Sequence, residues 1–344
     1  MTTKQICVIR SFDTLQMTRR LPVNIVERDI PFFNKLLEVQ IQAIKVISVV
    51  NANIISSGAI FKNFSVLPQI ILSNDNGEIV SYSKRDILKI IFFWRCISLK
   101  RANKYFVIHN AFSHTYYHWL LEALPRLFLI REQISSGTLL LPSNHNEKFH
   151  RESLELFGIG DIGILNEKVR YHIPHTITST QIGRIANYHP IILKEMVQYI
   201  NSRIDLATDL GDKIYISRSR ALKRKVVNEH QIEIFLRNLG FRIINIEDYN
   251  FESQVSIMHH CKYLIGIHGA GLANMIFMRE GGKIMELRKH DCGENYFYFS
   301  LASTVNLHYY YQFCSSIDEQ ASVQDADIVV DFHEFERNVQ KMLA

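Results

Sequence analysis

The stretch YLIGIHGAGLANMIF, Tyr263 to Phe277, decides the fold. Its first five residues form an unbroken apolar run, the signature of a strand buried on both faces of a parallel sheet. A glycine-bearing turn follows, and the apolar spacing beyond it predicts a helix beginning near Gly271. Strand, tight turn and helix start in that order aim backbone N–H groups at a point where an anion can sit. Gly269 and Gly271 carry no Cβ to hold an anion away, and His268 could donate to one of its oxygens. The competing reading is a βα turn that needs glycine for its dihedral angles alone.

Working outward, the same alternation repeats on both sides. KIYIS (Lys213 to Ser217) reads as a strand; Asn228 then looks like an N-cap, and Ile232, Phe235, Leu236 and Leu239 keep helical spacing until Gly240. FRIINI (Phe241 to Ile246) is strand-like, and Glu252 to Cys261 suits a helix with Val255 and Met258 inward. Downstream, Gly281-Gly282 turn the chain into the strand KIMEL, and Asn295 to Thr304 and Leu307 to Phe313 suggest one more helix and strand. This is a doubly wound α/β pattern. Phe332, Phe335, Val339 and Met342 mark an amphipathic C-terminal helix packing back across a domain surface.

The first half is also read as α/β. Strand-like runs fall at Val46 to Val50, Ile54 to Phe61, Ile70 to Leu72 and Glu78 to Ser83, with helical ones at Phe32 to Ile44 and Tyr116 to Ile134. A chain of 344 residues favours two cores and a cleft. The expected division is 1–205, 206–330 and a C-terminal helix over 331–344.

With 47% hydrophobic and 21% charged residues the whole chain should fold. A net charge of +5 is small for a nucleic-acid binder of this length and suits phosphorylated small molecules better. The five cysteines, at 7, 96, 261, 292 and 314, are scattered without metal-ligand spacing and read as reduced thiols. The N-terminus lacks the pattern of a secretory signal, which makes the cytoplasm the expected compartment. Lys89 and Arg95 interrupt the apolar run Ile87 to Ile97 long before it could span a bilayer. Lys100, Arg101 and Lys104 beside it could touch an anionic membrane surface, or simply form a solvated rim.

Two further segments carry chemistry. SRSRALKRK (Ser217 to Lys225) places Arg218, Arg220 and Arg224 just after the domain's first strand, at the edge where such sheets bind ligands. A planar guanidinium can hold a diphosphate bidentately, although a solvated basic loop would look the same. Glu286 ends KIMEL on that side, placed to accept from ribose hydroxyls or to serve as a buried structural carboxylate. In NAFSHTYYHWLLEALPRLFLIRE (Asn110 to Glu132), His114, His118 and Glu122 recur every four residues, hence on one face if the helix begins that early. Leu120, Leu121, Leu124, Leu127 and Phe128 supply the apolar side, so His118 and Glu122 need not be core residues. Either could remove the proton of an attacking hydroxyl, with a structural pair as the alternative. HExxH is absent, so no zinc site is expected. The string Asp325-Ala326-Asp327 stands too near the chain end to read as a metal-binding DxD.

In order along the chain, YYHWLLEALPRL (Tyr116 to Leu127), YISRSRALKRKVVNE (Tyr215 to Glu229), LGFRIINIEDYNFESQV (Leu239 to Val255) and GIHGAGLANMIFMREGGKIMELR (Gly266 to Arg288) resemble glycosyltransferase family 61. The likeness is strongest to bacterial members associated with capsular and surface polysaccharide synthesis. It implies two Rossmann-like domains in a GT-B arrangement, inverting transfer from a nucleotide-sugar donor to a glycan or lipid-linked glycan acceptor, and neither cofactor nor obligatory metal. Carried over by motif, Ser217, Arg218, Arg224, Asn228, Glu229 and the loop His268, Gly269, Ala270, Gly271 and Leu272 line the donor site. Glu122 or His118 is the base; many relatives have aspartate where this chain has Glu122. Eukaryotic relatives carry signal or anchor segments unlike this N-terminus, which favours a cytosolic enzyme with peripheral contact at the inner membrane face left open. The rival readings are a nucleotide-sugar epimerase or hydrolase and a non-catalytic nucleotide- or glycan-binding partner.

Overall fold

The computed structural model describes residues 6–62, 65–67, 82–100, 103–184, 186–290, 296–323 and 325–344. The expected strand at 70–72, most of the one at 78–83, Arg101 and Cys292 lie outside them. Two compact units form: Met1–Leu15 with Gln40–Met196, and Gln16–Val39 with Val197–Ala344.

The second unit is built on a sheet with strands in the spatial order Arg242–Ile244, Lys213–Ile216, Tyr263–Ile267, Lys283–Lys289, His308–Ser316 and Ile328–Val329. All pairs are parallel except the last. In chain order this is 2-1-3-4-5-6, so the direction of winding reverses between the first and third strands. The carboxyl ends of those two strands are where sheets of this topology bind ligands. Helices Glu229–Asn238, Phe251–His260, Phe297–Thr304 and Phe332–Leu343 accompany the sheet. Phe335, Val339 and Met342 of the last share a buried core with Tyr215, Ile265, Met285 and Tyr310.

The helix expected near Gly271 is instead a 3₁₀ helix over Ala270–Phe277. Asn274 turns its side-chain amide onto the Gly271 carbonyl at 3.2 Å, the competition that short polar side chains raise against α-helical bonding.

Gln16–Val39, read from sequence as part of the N-terminal domain, packs in the second unit. Asn24 mimics a strand, donating from Nδ2 to the Tyr311 carbonyl (2.7 Å) and accepting from the Tyr311 N–H (3.1 Å). The Phe33 ring lies among Tyr296, Phe299, Tyr309 and Tyr311, with centroids 5.0 to 6.5 Å away. The helix expected over Phe32 to Ile44 does not form. A single turn, Ile30–Asn34, gives way to strands Glu38–Ile41 and Ile44–Ile54, where β-branched residues favour the pleat.

The first unit holds a mixed sheet rather than the parallel one of a Rossmann-like domain. Its path runs Ile162–Leu165, Gly137–Pro142, Lys104–Val107, Val169–Ser179, Ile44–Ile54, Ile60–Lys62 and Ser65–Val66. The first four strands are parallel; Val169–Ser179 and Ile44–Ile54 then pair antiparallel. The run expected as one strand from Ile54 to Phe61 is broken by Gly58, whose φ of 81° suits glycine and whose added Cβ would stand 2.4 Å from the His109 carbonyl oxygen.

Candidate functional site

In the first unit the helical segment starts at Tyr116, so His114 falls in the preceding turn, exposed, with Nδ1 on the Ala111 carbonyl. Only His118 and Glu122 of the expected trio share the helix. The backbone widens to a π-helical turn over Trp119–Ala123 before the α-helix Leu124–Ile134. Pro125 enters in the first turn of that helix, where its missing N–H costs no bond.

Glu122 is a core residue, 2% exposed, contrary to the expectation from its neighbours. Its Oε1 accepts from His118 Nδ1 at 2.9 Å and from the Tyr188 hydroxyl at 3.2 Å, and its Oε2 accepts from Asn110 Nδ2 at 2.6 Å. Asn110 is itself fixed: its Oδ1 accepts the Phe112 N–H and its N–H donates to Ser113 Oγ. Three side chains thus donate to one buried carboxylate. That carboxylate takes the Nδ1–H of His118 and leaves the lone pair of a neutral ring on Nε2. Below it, Arg126 is fully buried and donates to the Ile108 carbonyl (2.7 Å) and to Thr178 Oγ1 (2.8 Å). Burial brings its guanidinium down to about 10, against the pull of Glu122.

Next to this cluster His145 and His150 pack edge-to-face on Trp119 and tilt against each other, and His109 packs edge-to-face on His145, ring centroids 4.5 to 5.8 Å apart. His150 accepts the Glu147 N–H at Nδ1 and donates from Nε2 to the Ser113 carbonyl. Burial pushes His109 to about 3, His145 to about 2 and His150 to about 4, helped by Arg126 at His109 and by neighbouring imidazoles. These folded values lie below the unfolded one near 6.5, so their stabilisation is complete above about pH 6.5 and is lost as pH falls toward them. The melting temperature should therefore drop steadily between pH 7 and 5 in a calorimetric series; a flat profile contradicts neutral packed rings.

In the second unit, the loops after the first and third strands meet at the switch point. Arg218 donates from Nε to the Arg224 carbonyl (3.2 Å), and Arg224 donates from Nη1 to the His268 carbonyl (3.4 Å). Arg224 holds a left-handed φ of 59°, a local strain that sites tend to retain. Burial, and then the charge of Arg224, lower the Arg218 guanidinium from its ordinary value. Among the described residues neither has a carboxylate within ion-pair distance, whereas Arg220 is paired with Asp248 and Lys223 with Asp325. Asp327 accepts the Lys225 N–H, so the DAD string clasps the basic loop.

Gly269 is extended, φ 167°, a conformation open to any residue. What it supplies is room, because a Cβ there would lie 3.0 Å from Arg218 Nη1; at Gly271 one would lie 3.2 Å from Ile246. The reading that these glycines serve dihedral angles alone fails. Ala270 and Gly271 open the 3₁₀ helix with N–H groups that precede its internal bonds, while Leu272 is buried behind them.

His268 donates from Nδ1 to Glu286 Oε1 at 2.5 Å, and the Tyr309 hydroxyl donates to Oε2 at 2.5 Å. Burial alone would raise the Glu286 carboxyl; His268, Arg288 and Tyr309 outweigh it and hold it below the usual carboxylate range. Fully buried Glu286 is thus placed to orient His268, not to meet a ribose. Asn228 and Glu229 are likewise engaged: Asn228 makes both side-chain bonds to the Val330 backbone, and Glu229 accepts from the Tyr215 hydroxyl. Ser217, 2% exposed, turns its Oγ to the Ser219 N–H. Sequence reasoning missed Asn110, Tyr188 and Tyr309, whose 12-, 66- and 23-residue separations from their carboxylates leave no periodic trace.

Fold and clusters define the class: an α/β protein of two sheet-centred units, one of them doubly wound with arginines and a glycine turn at its switch point. Residues 116–285 match the family described as Glycosyltransferase 61. The match takes in both clusters except Asn110, Glu286 and the tyrosine beyond. The chain is also similar to the EGF domain-specific O-linked N-acetylglucosamine transferases of Bos taurus (30% identical over 127 residues, 34% of this chain and 24% of that protein) and Gallus gallus (29% over 91 residues, 25% and 17%). It therefore matches about a quarter or less of the length of these relatives.

Proposed function

We propose that the protein is an inverting glycosyltransferase in which the second unit binds a nucleotide-sugar donor and the first supplies the base. The observation that carries the donor half is the pair of guanidiniums, Arg218 and Arg224, held by backbone carbonyls beside the Gly269 turn with no carboxylate within ion-pair distance among the described residues. Such a pair suits a diphosphate, and its attraction grows as the leaving group gains charge. The acceptor oxygen attacks the anomeric carbon, the bond from that carbon to the diphosphate breaks, and the hydroxyl proton passes to His118 Nε2, with Glu122 orienting the ring. A GT-B arrangement, the lack of a metal requirement and a glycan acceptor in bacterial surface polysaccharide belong to this proposal and rest on the family resemblance. The names of the vertebrate relatives make nucleotide-activated N-acetylglucosamine the first donor to try.

A thermal-shift screen of nucleotide sugars tests donor binding, since a ligand of the native state raises the melting temperature. Transfer is then followed by mass, and the anomeric configuration of the product by NMR. Retention of configuration, donor consumption that needs no acceptor, or binding with no transfer to any acceptor contradicts the proposal. Gly269→Ala should weaken nucleotide binding about tenfold, or about 1.4 kcal/mol, with little change in melting temperature, because the new methyl displaces the Arg218 fork. Unaltered affinity would remove Arg218 from the donor site.

A further inference from the structure

Helix Lys84–Phe93 of the first unit opens with a reciprocal cap: Ser83 Oγ accepts the Asp86 N–H while Asp86 accepts from the Ser83 N–H. Its inner face behaves as expected, Ile87 and Ile90 packing in a cluster with Ile55 and Phe61. Its outer face does not. Leu88 is 43% exposed, Phe92 72% and Phe93 84%, on the side of a surface helix that is ordinarily polar. Leu88 stands three residues after Arg85, and Phe92 stands four after Leu88 and three after Lys89, so the four form one stripe. Lys84, Arg85 and Lys89 are exposed on the helix, and Arg95 just after it. The sole carboxylate of the helix, Asp86, is occupied by its cap.

Aromatic rings set among cations narrow the occupant. A second copy of this face would bring the same positive charges together as the rings met, a repulsion no acid on the helix relieves. The helix cannot cross a bilayer, as no helix among the described residues is long and apolar enough. Lying in the plane of an anionic bilayer satisfies both components, with rings below the phosphate level and Lys and Arg at the headgroups. We propose that the outer face of Lys84–Phe93 docks the protein on an anionic phospholipid surface.

The test is flotation of the full chain with vesicles of phosphatidylcholine alone and with vesicles in which about a third of the lipid is phosphatidylglycerol. Two variants accompany it, Phe92→Ser with Phe93→Ser, and Lys84→Glu with Arg85→Glu and Lys89→Glu. All five positions are exposed, so melting temperature and nucleotide binding should match the parent. Binding should need phosphatidylglycerol, weaken with added salt, and fall about tenfold or more in each variant. Failure of the parent to bind, equal binding to neutral vesicles, or parental binding by the serine variant overturns the proposal. Dimers that the serine variant dissolves, without vesicle binding, assign the face to a second copy instead.

Discussion

Replacing His118 by alanine is expected to lower turnover by about 10³-fold while nucleotide affinity stays at the parental value. The ring belongs to the first unit and the arginines to the second, and the ring's task in the proposed reaction is confined to the acceptor proton. Loss of a base reduces the rate of attack and leaves donor binding as it was. Glu122→Gln should come close to the same loss, about 10² to 10⁴-fold, although the side chain keeps its size. The amide would offer its own N–H or a weaker oxygen to Nδ1 and so favour the wrong tautomer, and the contacts with Asn110 and Tyr188 would change with it. Steady-state kinetics at saturating donor, beside calorimetric titration of the nucleotide, measure both quantities. If His118→Ala turns over at the parental rate, the base lies elsewhere.

Arg218→Ala should have the second large effect, about 10² to 10³-fold in kcat/KM, together with weaker nucleoside diphosphate binding. The guanidinium leans on the Arg224 and Lys223 carbonyls and stands 3.0 Å from the space above Gly269, so alanine removes both the charge and the fork. Arg218→Lys keeps the charge and loses the bidentate geometry; it should recover only part of the activity. Arg220→Ala is the internal control. Arg220 belongs to the same basic run but is spent on an exposed pair with Asp248, a type of bridge worth about 1 kcal/mol or less. Equal losses from Arg218→Ala and Arg220→Ala would mean that the loop acts through bulk charge, and the assigned site would be wrong.

How much of this the sequence discloses differs between the units for a physical reason. Strands buried on both faces, such as Tyr263–Ile267, read as unbroken apolar runs, and the helices between them keep their period; the second unit was therefore legible almost strand by strand. Nearer the N-terminus, Phe33, Leu36, Leu37 and Ile41 imitate helical spacing although only the turn Ile30–Asn34 is helical and strands Glu38–Ile41 and Ile44–Ile54 follow it, because short elements take their conformation from what they pack against. The His118–Glu122 pair could be read from its four-residue spacing. The burial of Glu122 and its bonds to Asn110 and Tyr188 could not, since tertiary folding alone brings those residues together. The assignments of Asn228 and Glu229 by motif and of Glu286 by its place at a strand end share one difficulty: a polar residue looks the same in sequence whether it faces a ligand or fastens the loop that does.

Asn24 and Tyr311 stand 287 positions apart in the chain, yet they exchange hydrogen bonds like neighbours in a ladder. During translation, Phe33 leaves the ribosome long before the aromatic residues that receive it. Closing so long a loop is entropically slow, and the waiting segment keeps its apolar side uncovered meanwhile. Docking of the Gln16–Val39 segment thus waits for the strand His308–Ser316, which ties the completion of this part of the second unit to residues synthesised long after it.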